Sequence, residues 1–247
     1  MSIDFFTKTS GTWINVATVL AGTGVGLLLR GQLPIRMQQI ITQGLGLITL
    51  FIGVKMAGSL TEVKAGQVDG VIVGLLALVL GGLLGEWWQL EEMLTAIGDW
   101  LKYRFKGKGS FTEGFVAASL LFCIGPLALL GSLNNGLSGD NTLLTLKAAM
   151  DGLASIALTS SYGIGVGFSA LSLLIYQGGI SLAAGSLAQV LPDPATAPPV
   201  LVATGVGGLI IMGLGFNLLQ VTTIRIASFL PALMLAPLLY WLADWIS

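Results

Sequence analysis

Lys147 and Asp151 stand four residues apart in "LKAAMDG", inside the apolar run "TLLTLKAAMDGLASIALTSS". On a helix this spacing puts both side chains on one face, where the ammonium can neutralise the carboxylate. A carboxylate beside an exchangeable cationic partner is chemistry suited to carrying a proton or another cation. If the helix begins near Thr142, Asp151 lies roughly 14 Å into it at about 1.5 Å per residue. That depth is close to the middle of a hydrocarbon core about 30 Å thick. An unpaired charge there costs about 3 kcal/mol on insertion scales, so the pairing makes the position tolerable. The competing reading is an ion pair that only fixes helix register, or a Lys147 that snorkels outward to water. Function is favoured, because uncharged polar residues would set register at lower cost.

Other polar residues fall in apolar runs: Asn15, Gln39, Gln43, Ser155, Ser160, Ser161, Ser169 and Asn217. They can line a cavity, or serve as interhelical hydrogen bonds of about 0.6 kcal/mol each. Glu86 in "GLLGEWWQLE" sits beside Trp87 and Trp88, which read as an aromatic belt; it is interfacial, or gates an inner mouth. In "NNGLSGDNT", Asp140 and Asn141 are suited to cap the following helix.

The chain of 247 residues is 54% hydrophobic and 9% charged, against about 25% charged in soluble domains. It is read as a polytopic membrane protein whose main partner is the lipid bilayer. Histidine is absent and Cys123 is the one cysteine, so no zinc site and no intrachain disulfide can be built. Any other metal is left open, and Cys123 reads as a small packing residue. A net charge of -1 offers no basic face for nucleic acid. No Gly-x-Ser-x-Gly elbow occurs, and no second carboxylate lies near Asp151, so enzymatic activity is not expected. "GTGVG" and "GIGVG" have neither the preceding strand nor the following Gly-Lys-Ser/Thr of a phosphate loop. No cofactor is expected. A homo-oligomer is compatible with this composition.

Apolar runs lie at about 11–29, 38–58, 70–86, 114–132, 142–161, 163–186, 199–219 and 226–246. They lack the alternation of barrel strands, so each predicts a helix in an all-α bundle. The fifth and sixth meet at "TSSYGIG" almost without a loop, as a tight hairpin or as one broken helix. The count is therefore eight spans or seven. The first run follows one acid and one base and precedes Arg30 and Arg36, which reads as a retained span and not a signal peptide. Arg30, Arg36, Lys102, Arg104, Lys106, Lys108 and Arg225 fall on one side of an eight-span chain. That side is expected to be the cytoplasm, in a bacterial inner membrane, with both termini outside.

After the third run, "WWQLEEMLTAIGDWLKYRF" places Leu90, Met93, Leu94, Ile97, Trp100 and Leu101 at helical spacing, opposite Glu91, Glu92, Asp99 and Lys102. This predicts an amphipathic helix in the headgroup plane, with a packed cytosolic linker as the alternative. A weak internal repeat aligns "GTWINVATVLAG" with "GFVAASLLFCIG", "QIITQGL" with "KAAMDGL", and "GVIVGLLAL" with "GIGVGFSAL". It sets Gln39 opposite Lys147 and Gln43 opposite Asp151. The expected organisation of the single membrane domain 1–247 is three spans (10–87), the amphipathic segment (88–108), three inverted spans (113–186) and a C-terminal pair (198–247).

Along nearly its whole length the chain also resembles a bacterial family of multi-pass inner-membrane proteins, the domain of unknown function 554 family. The stretches that carry the likeness are "GTWINVATVLAGTGVGLLL", "GLGLITLFIG", "LVLGGLLGEWWQLEEMLTAIGDWL", "GFVAASLLFCIG", "SGDNTLLTLKAAMDG", "YGIGVGFSA" and "RIASFLPAL". The resemblance implies a transport role without a substrate.

The expected function is secondary transport of a small solute or ion, with Asp151, Lys147, Gln43 and Gln39 at its centre. The runner-up is a membrane scaffold or assembly partner whose polar groups only hold helices together. A water-reaching cavity at Asp151 favours the first, and a sealed Asp151 the second. On a Cys123→Ser background, a cysteine at Lys106 should resist an impermeant thiol reagent added outside cells. External labelling there contradicts the orientation.

Overall fold

Lipid offers backbone groups no hydrogen-bond partner, so each apolar run closes its bonds internally as a helix. The computed structural model describes residues 4–30, 34–190 and 197–246, and of residues 126 and 185–190 only the backbone. Met1 and Ser247, the termini assigned to the outer face, lie outside the described residues. In chain order the helices are α1 (Phe5–Arg30), α2 (Ile35–Ala57), α3 (Gly70–Trp87), α4 (Leu90–Arg104), α5 (Phe111–Cys123), α6 (Pro126–Ser138), α7 (Thr142–Tyr162), α8 (Ser169–Val190), α9 (Pro198–Leu218) and α10 (Pro231–Ile246). Between α2 and α3 lies an antiparallel hairpin, β1 (Lys64–Ala65) with β2 (Val68–Asp69). The fold is an all-α polytopic helix bundle.

Among the described residues seven helical segments are long and apolar enough to cross a membrane, and the pair α5 and α6 makes an eighth if it is one span bent by 61°. The contacts of α1 decide how that pair runs. At one end of α1 the Arg30 guanidinium lies against Gly109, just before α5, and against Gly163, just after α7. Toward the other end, Asn135 near the close of α6 donates to the Thr7 carbonyl and to Ser10 Oγ, each at 3.0 Å. Its own Oδ1 accepts from the Gly11 amide at 3.0 Å. Ser10 and Arg30 are separated by roughly 30 Å of helix. Together α5 and α6 therefore traverse the same thickness as α1. The continuous span expected over 114–132 is therefore interrupted, and the uncertain span is this one and not the junction at "TSSYGIG". The break is at Gly125, whose φ of 149° only glycine adopts readily. The fifth and sixth runs form a hairpin: Gly163 at φ 89° ends α7, and a 3-10 turn, Ile164–Phe168, leads into α8.

The chain divides into two compact units, each assembled from separate stretches. The first takes in residues up to 45 and 95–192, and so holds α1, α5, α6, α7 and α8 with parts of α2 and α4. Its spine is the contact of α1 with α7. A Cβ built on Gly22 would stand 2.4 Å from the Gly152 carbonyl, and one on Gly26 would stand 2.6 Å from that of Ile156. Only glycine at both places lets the two backbones meet. Thr42 of α2 donates to Ser161 Oγ at 2.7 Å, and Ser161 donates to the Gln38 carbonyl. At the start of α7, Asp140 accepts from the Thr142 amide (2.9 Å) and hydroxyl (2.6 Å). These bonds hold its carboxyl below the usual carboxylate range. Asn141 does not cap: its amide donates to Ser10 at 3.0 Å instead.

The second unit comprises residues 46–94 and 193–247. A Cβ on Gly208 of α9 would lie 2.4 Å from the Ala57 amide of α2, and one on Gly85 of α3 would lie 1.9 Å from the Ser228 carbonyl. Asn217 closes the loop after α9 by donating to the Ile224 carbonyl and accepting its amide, both at 2.7 Å. Helix α4 follows Gln89, whose φ is 54°. It leaves Met93, Ile97 and Trp100 exposed at 55%, 49% and 62%, while Leu101 is buried and Gly98 packs against Thr112 and Phe115 of α5. The helix thus combines a packed edge, as in a linker held on the protein, with an exposed apolar strip of the kind that lies among lipid headgroups.

The α1–α7 contact yields a paired prediction. Gly22→Leu should lose most of the folded yield, since overpacking with no room to relax exceeds the usual cost of about 1–3 kcal/mol. Gly24→Leu should be tolerated, because nothing lies within 4 Å of a Cβ there. Detergent-solubilised yield and melting temperature of the two variants check this.

Candidate functional site

Helix α7 carries Lys147, Asp151, Ser155 and Thr159 at intervals of four residues, and all four are buried. They form one polar stripe on the face that meets α1. Lys147 and Asp151 pair directly, with relative exposures of 6% and 7%. Because Gly22 and Gly26 bring α1 against α7, Asn15, about two turns from Gly22 along α1, reaches the pair. Its Nδ2 donates to Asp151 Oδ2 at 2.9 Å and to Gln177 Oε1 at 3.2 Å. Gln177 arrives on α8, which the hairpin after Gly163 folds back into the same interior.

The protons of this group can be assigned. Asp151 accepts only, so the nitrogen of Asn15 must face it. With both hydrogens of that nitrogen engaged, Gln177 must present its oxygen to Asn15. Two atoms are then left over. Asn15 Oδ1, an acceptor, and Gln177 Nε2, a donor, are buried without a hydrogen-bond partner. Thr12 Oγ1 and Ser181 Oγ, each one turn away on α1 and α8, are likewise unpartnered, as are those of Thr23, Ser132 and Thr159. An unpaired buried polar atom costs about 1–3 kcal/mol, so a cluster of them calls for a ligand or ordered water.

Several residues expected at the site lie elsewhere. Ser155 does belong to the stripe; it donates to the Gly152 carbonyl at 2.7 Å and lies against Gly22. Gln39 and Gln43, expected to face Lys147 and Asp151, are exposed on α2. The reason is helical register: Gln38 and Thr42 hold the face toward Ser161. Ser161 is itself roughly 15 Å along α7 from Asp151. Ser160 and Ser169 donate to the carbonyls of Ala157 and Val166, so they satisfy local turns. Asn217 and Glu86 belong to the second unit. Asn217 closes its loop, and Glu86 pairs with Arg225 and accepts from Ser228 Oγ at 3.2 Å. Arg225 also pairs with Glu92, and Glu91 accepts the Ala227 amide at 2.7 Å. Gln177 was missed in the sequence. The available signal was that it is the one amide side chain in the run 163–186. Among the described residues no three of Cys, Asp or Glu gather as a metal site.

Residues 10–241 match the model of a family described as a protein of unknown function, DUF554. The chain belongs to that family. It is similar to the uncharacterized membrane protein YdfK of Bacillus subtilis (strain 168), with 31% identity over 92% of this chain and 93% of the relative. It is also similar to the uncharacterized protein YqgA of Escherichia coli (strain K12), with 32% identity over 92% of this chain and 94% of the relative. No solved structure matches it.

The buried pair predicts non-additive mutations. Lys147→Met alone leaves a buried carboxylate without its partner, at a cost of about 3–5 kcal/mol. Lys147→Met combined with Asp151→Leu should recover much of the folded yield lost by each single change. Equal yields and melting temperatures for wild type and all three variants contradict burial of the pair.

Proposed function

We propose that this family member is a secondary transporter of a small solute or ion, coupled to a cation, with its site inside the first unit. The observation that carries the reading is the unpartnered Asn15 Oδ1 and Gln177 Nε2 beside a buried ion pair. Polar groups that merely joined helices would satisfy one another, since nothing in lipid rewards leaving them unpaired. The bent α5–α6 span adds support. Discontinuous helices near mid-membrane free backbone groups for ions and substrates.

In this scheme Asp151 is the group that takes the proton or cation, and Lys147 is the counter-ion that holds it neutral between cycles. Asn15 keeps the carboxylate oriented, and Gln177 links that amide to α8, so movement of α8 against α1 changes the contacts of Asp151. The closed pair is the occluded member of the cycle. The inverted repeat, the inner-membrane location and the outward termini belong to the same proposal. The basic residues at the ends of α1, α4 and α5 support the orientation. A scaffold role is the second reading. It is favoured by the closure of the pair from solvent.

The test is uptake by proteoliposomes carrying an internal pH dye, challenged with a library of small solutes under an imposed ion gradient. Wild type should give solute-dependent flux, and the neutral double variant Lys147→Met with Asp151→Leu should fold yet lose the coupled proton or cation movement. A folded double variant with wild-type coupled flux overturns the assignment.

A further inference from the structure

We infer that the site takes a small α-amino acid, recognised as a zwitterion by exchange with the Lys147–Asp151 pair. This rests on the transport reading above and names its substrate class. The buried cluster offers groups of both polarities. Asp151 supplies an anionic acceptor and Lys147 a cationic donor, in direct contact with each other. The two unpartnered amide atoms repeat that polarity. Asn15 Oδ1 is an acceptor with nothing to accept, and Gln177 Nε2 is a donor with nothing to donate to. The amide groups adjoin, since Asn15 Nδ2 bonds Gln177 Oε1, and Asn15 Nδ2 also bonds Asp151. A bare cation satisfies the acceptors and leaves Lys147 and Gln177 Nε2 idle, and a bare anion does the reverse. A ligand carrying both an ammonium and a carboxylate engages all four. Its ammonium takes Asp151 and Asn15 Oδ1, while its carboxylate takes Lys147 and Gln177 Nε2.

Charge arithmetic supports this exchange. The internal pair is neutral and so is the zwitterion, so neither the empty nor the loaded site leaves a net charge in the membrane interior, where one would be costly. The spacing of the charges selects the α class. Lys147 and Asp151 touch, so a ligand that replaces their mutual contact must hold its own charges close, one carbon apart. The surroundings favour a small side chain, because Asn15 and Gln177 are wholly buried and even a Cβ on Gly152, beside the pair, would stand 3.3 Å from Thr18.

The experiment is thermal denaturation of the purified full chain in detergent with added glycine, L-alanine or L-serine. The comparison compounds are glycinamide and methylammonium, which keep the cation alone, N-acetylglycine, which keeps the anion alone, and γ-aminobutyrate, with its charges three carbons apart. At least one of the three α-amino acids should raise Tm saturably, and none of the comparison compounds should match it. Gln177→Met should weaken that apparent affinity by about tenfold or more, the loss of one hydrogen bond to a charged group. If Gln177→Met does not fold, the wild-type ranking of ligands decides alone. Glycinamide or methylammonium acting as well as glycine overturns the inference in favour of a cation site, as N-acetylglycine does for an anion site. No shift with any of these compounds also overturns it. In either case Asp151-dependent coupled flux in proteoliposomes leaves the transport reading standing, and absence of that flux removes both.

Discussion

A lysine and an aspartate can lie inside this membrane protein only because they cancel each other there. Desolvating either charge alone would cost several kcal/mol, more than a marginally stable helix bundle can absorb. The pairing of Lys147 with Asp151 therefore constrains everything around it. Both must sit on one face of α7, that face must be turned inward, and the carboxylate's remaining capacity must meet a donor. Asn15 is that donor. Its place on α1 explains why the α1–α7 contact is so close and why glycine occupies positions 22 and 26.

The remaining architecture of the first unit brings further polar atoms to the same place. The turn at Gly163 sends α8 back beside α1, which delivers Gln177. The break at Gly125 interrupts the α5–α6 span within the same unit. Stability alone would be served by a continuous helix and fully paired side chains. A broken span and a run of unsatisfied hydroxyl and amide groups both weaken the unit, and both fall within it. Such local departures from good packing are where functional sites are found.

Much of the helical framework was legible in the sequence because a membrane span has a required length and composition. The apolar runs stand at the helices, and the charged stretch after Trp88 forms α4, whose apolar residues are part packed and part exposed. The break in α5–α6 was not legible: Ile124, Gly125 and Pro126 keep the run oily, so hydropathy passes through them unchanged. Lys147, Asp151, Asn15 and Ser155 were legible as polar residues in apolar runs. Gln39 and Gln43 were assigned by aligning a repeat, and sequence alignment does not fix which face of α2 is turned inward. That face is held by Thr42 and Ser161, a contact between residues far apart in the chain. Gln177 was passed over because a single amide in a long apolar run looks like an ordinary interhelical hydrogen bond until Asn15 is seen beside it.

Transport through the first unit requires the buried pair to open to water in the working protein. The reactivity of a cysteine at Ser155, on a Cys123→Ser background, reports that opening. Ser155 is fully buried, one turn from Asp151. The thiol should be alkylated by a small membrane-impermeant reagent from outside in right-side-out vesicles and from inside in inverted ones, without denaturant. A thiol that reacts from neither side until the protein is unfolded would rule out such opening and leave the pair a sealed structural element.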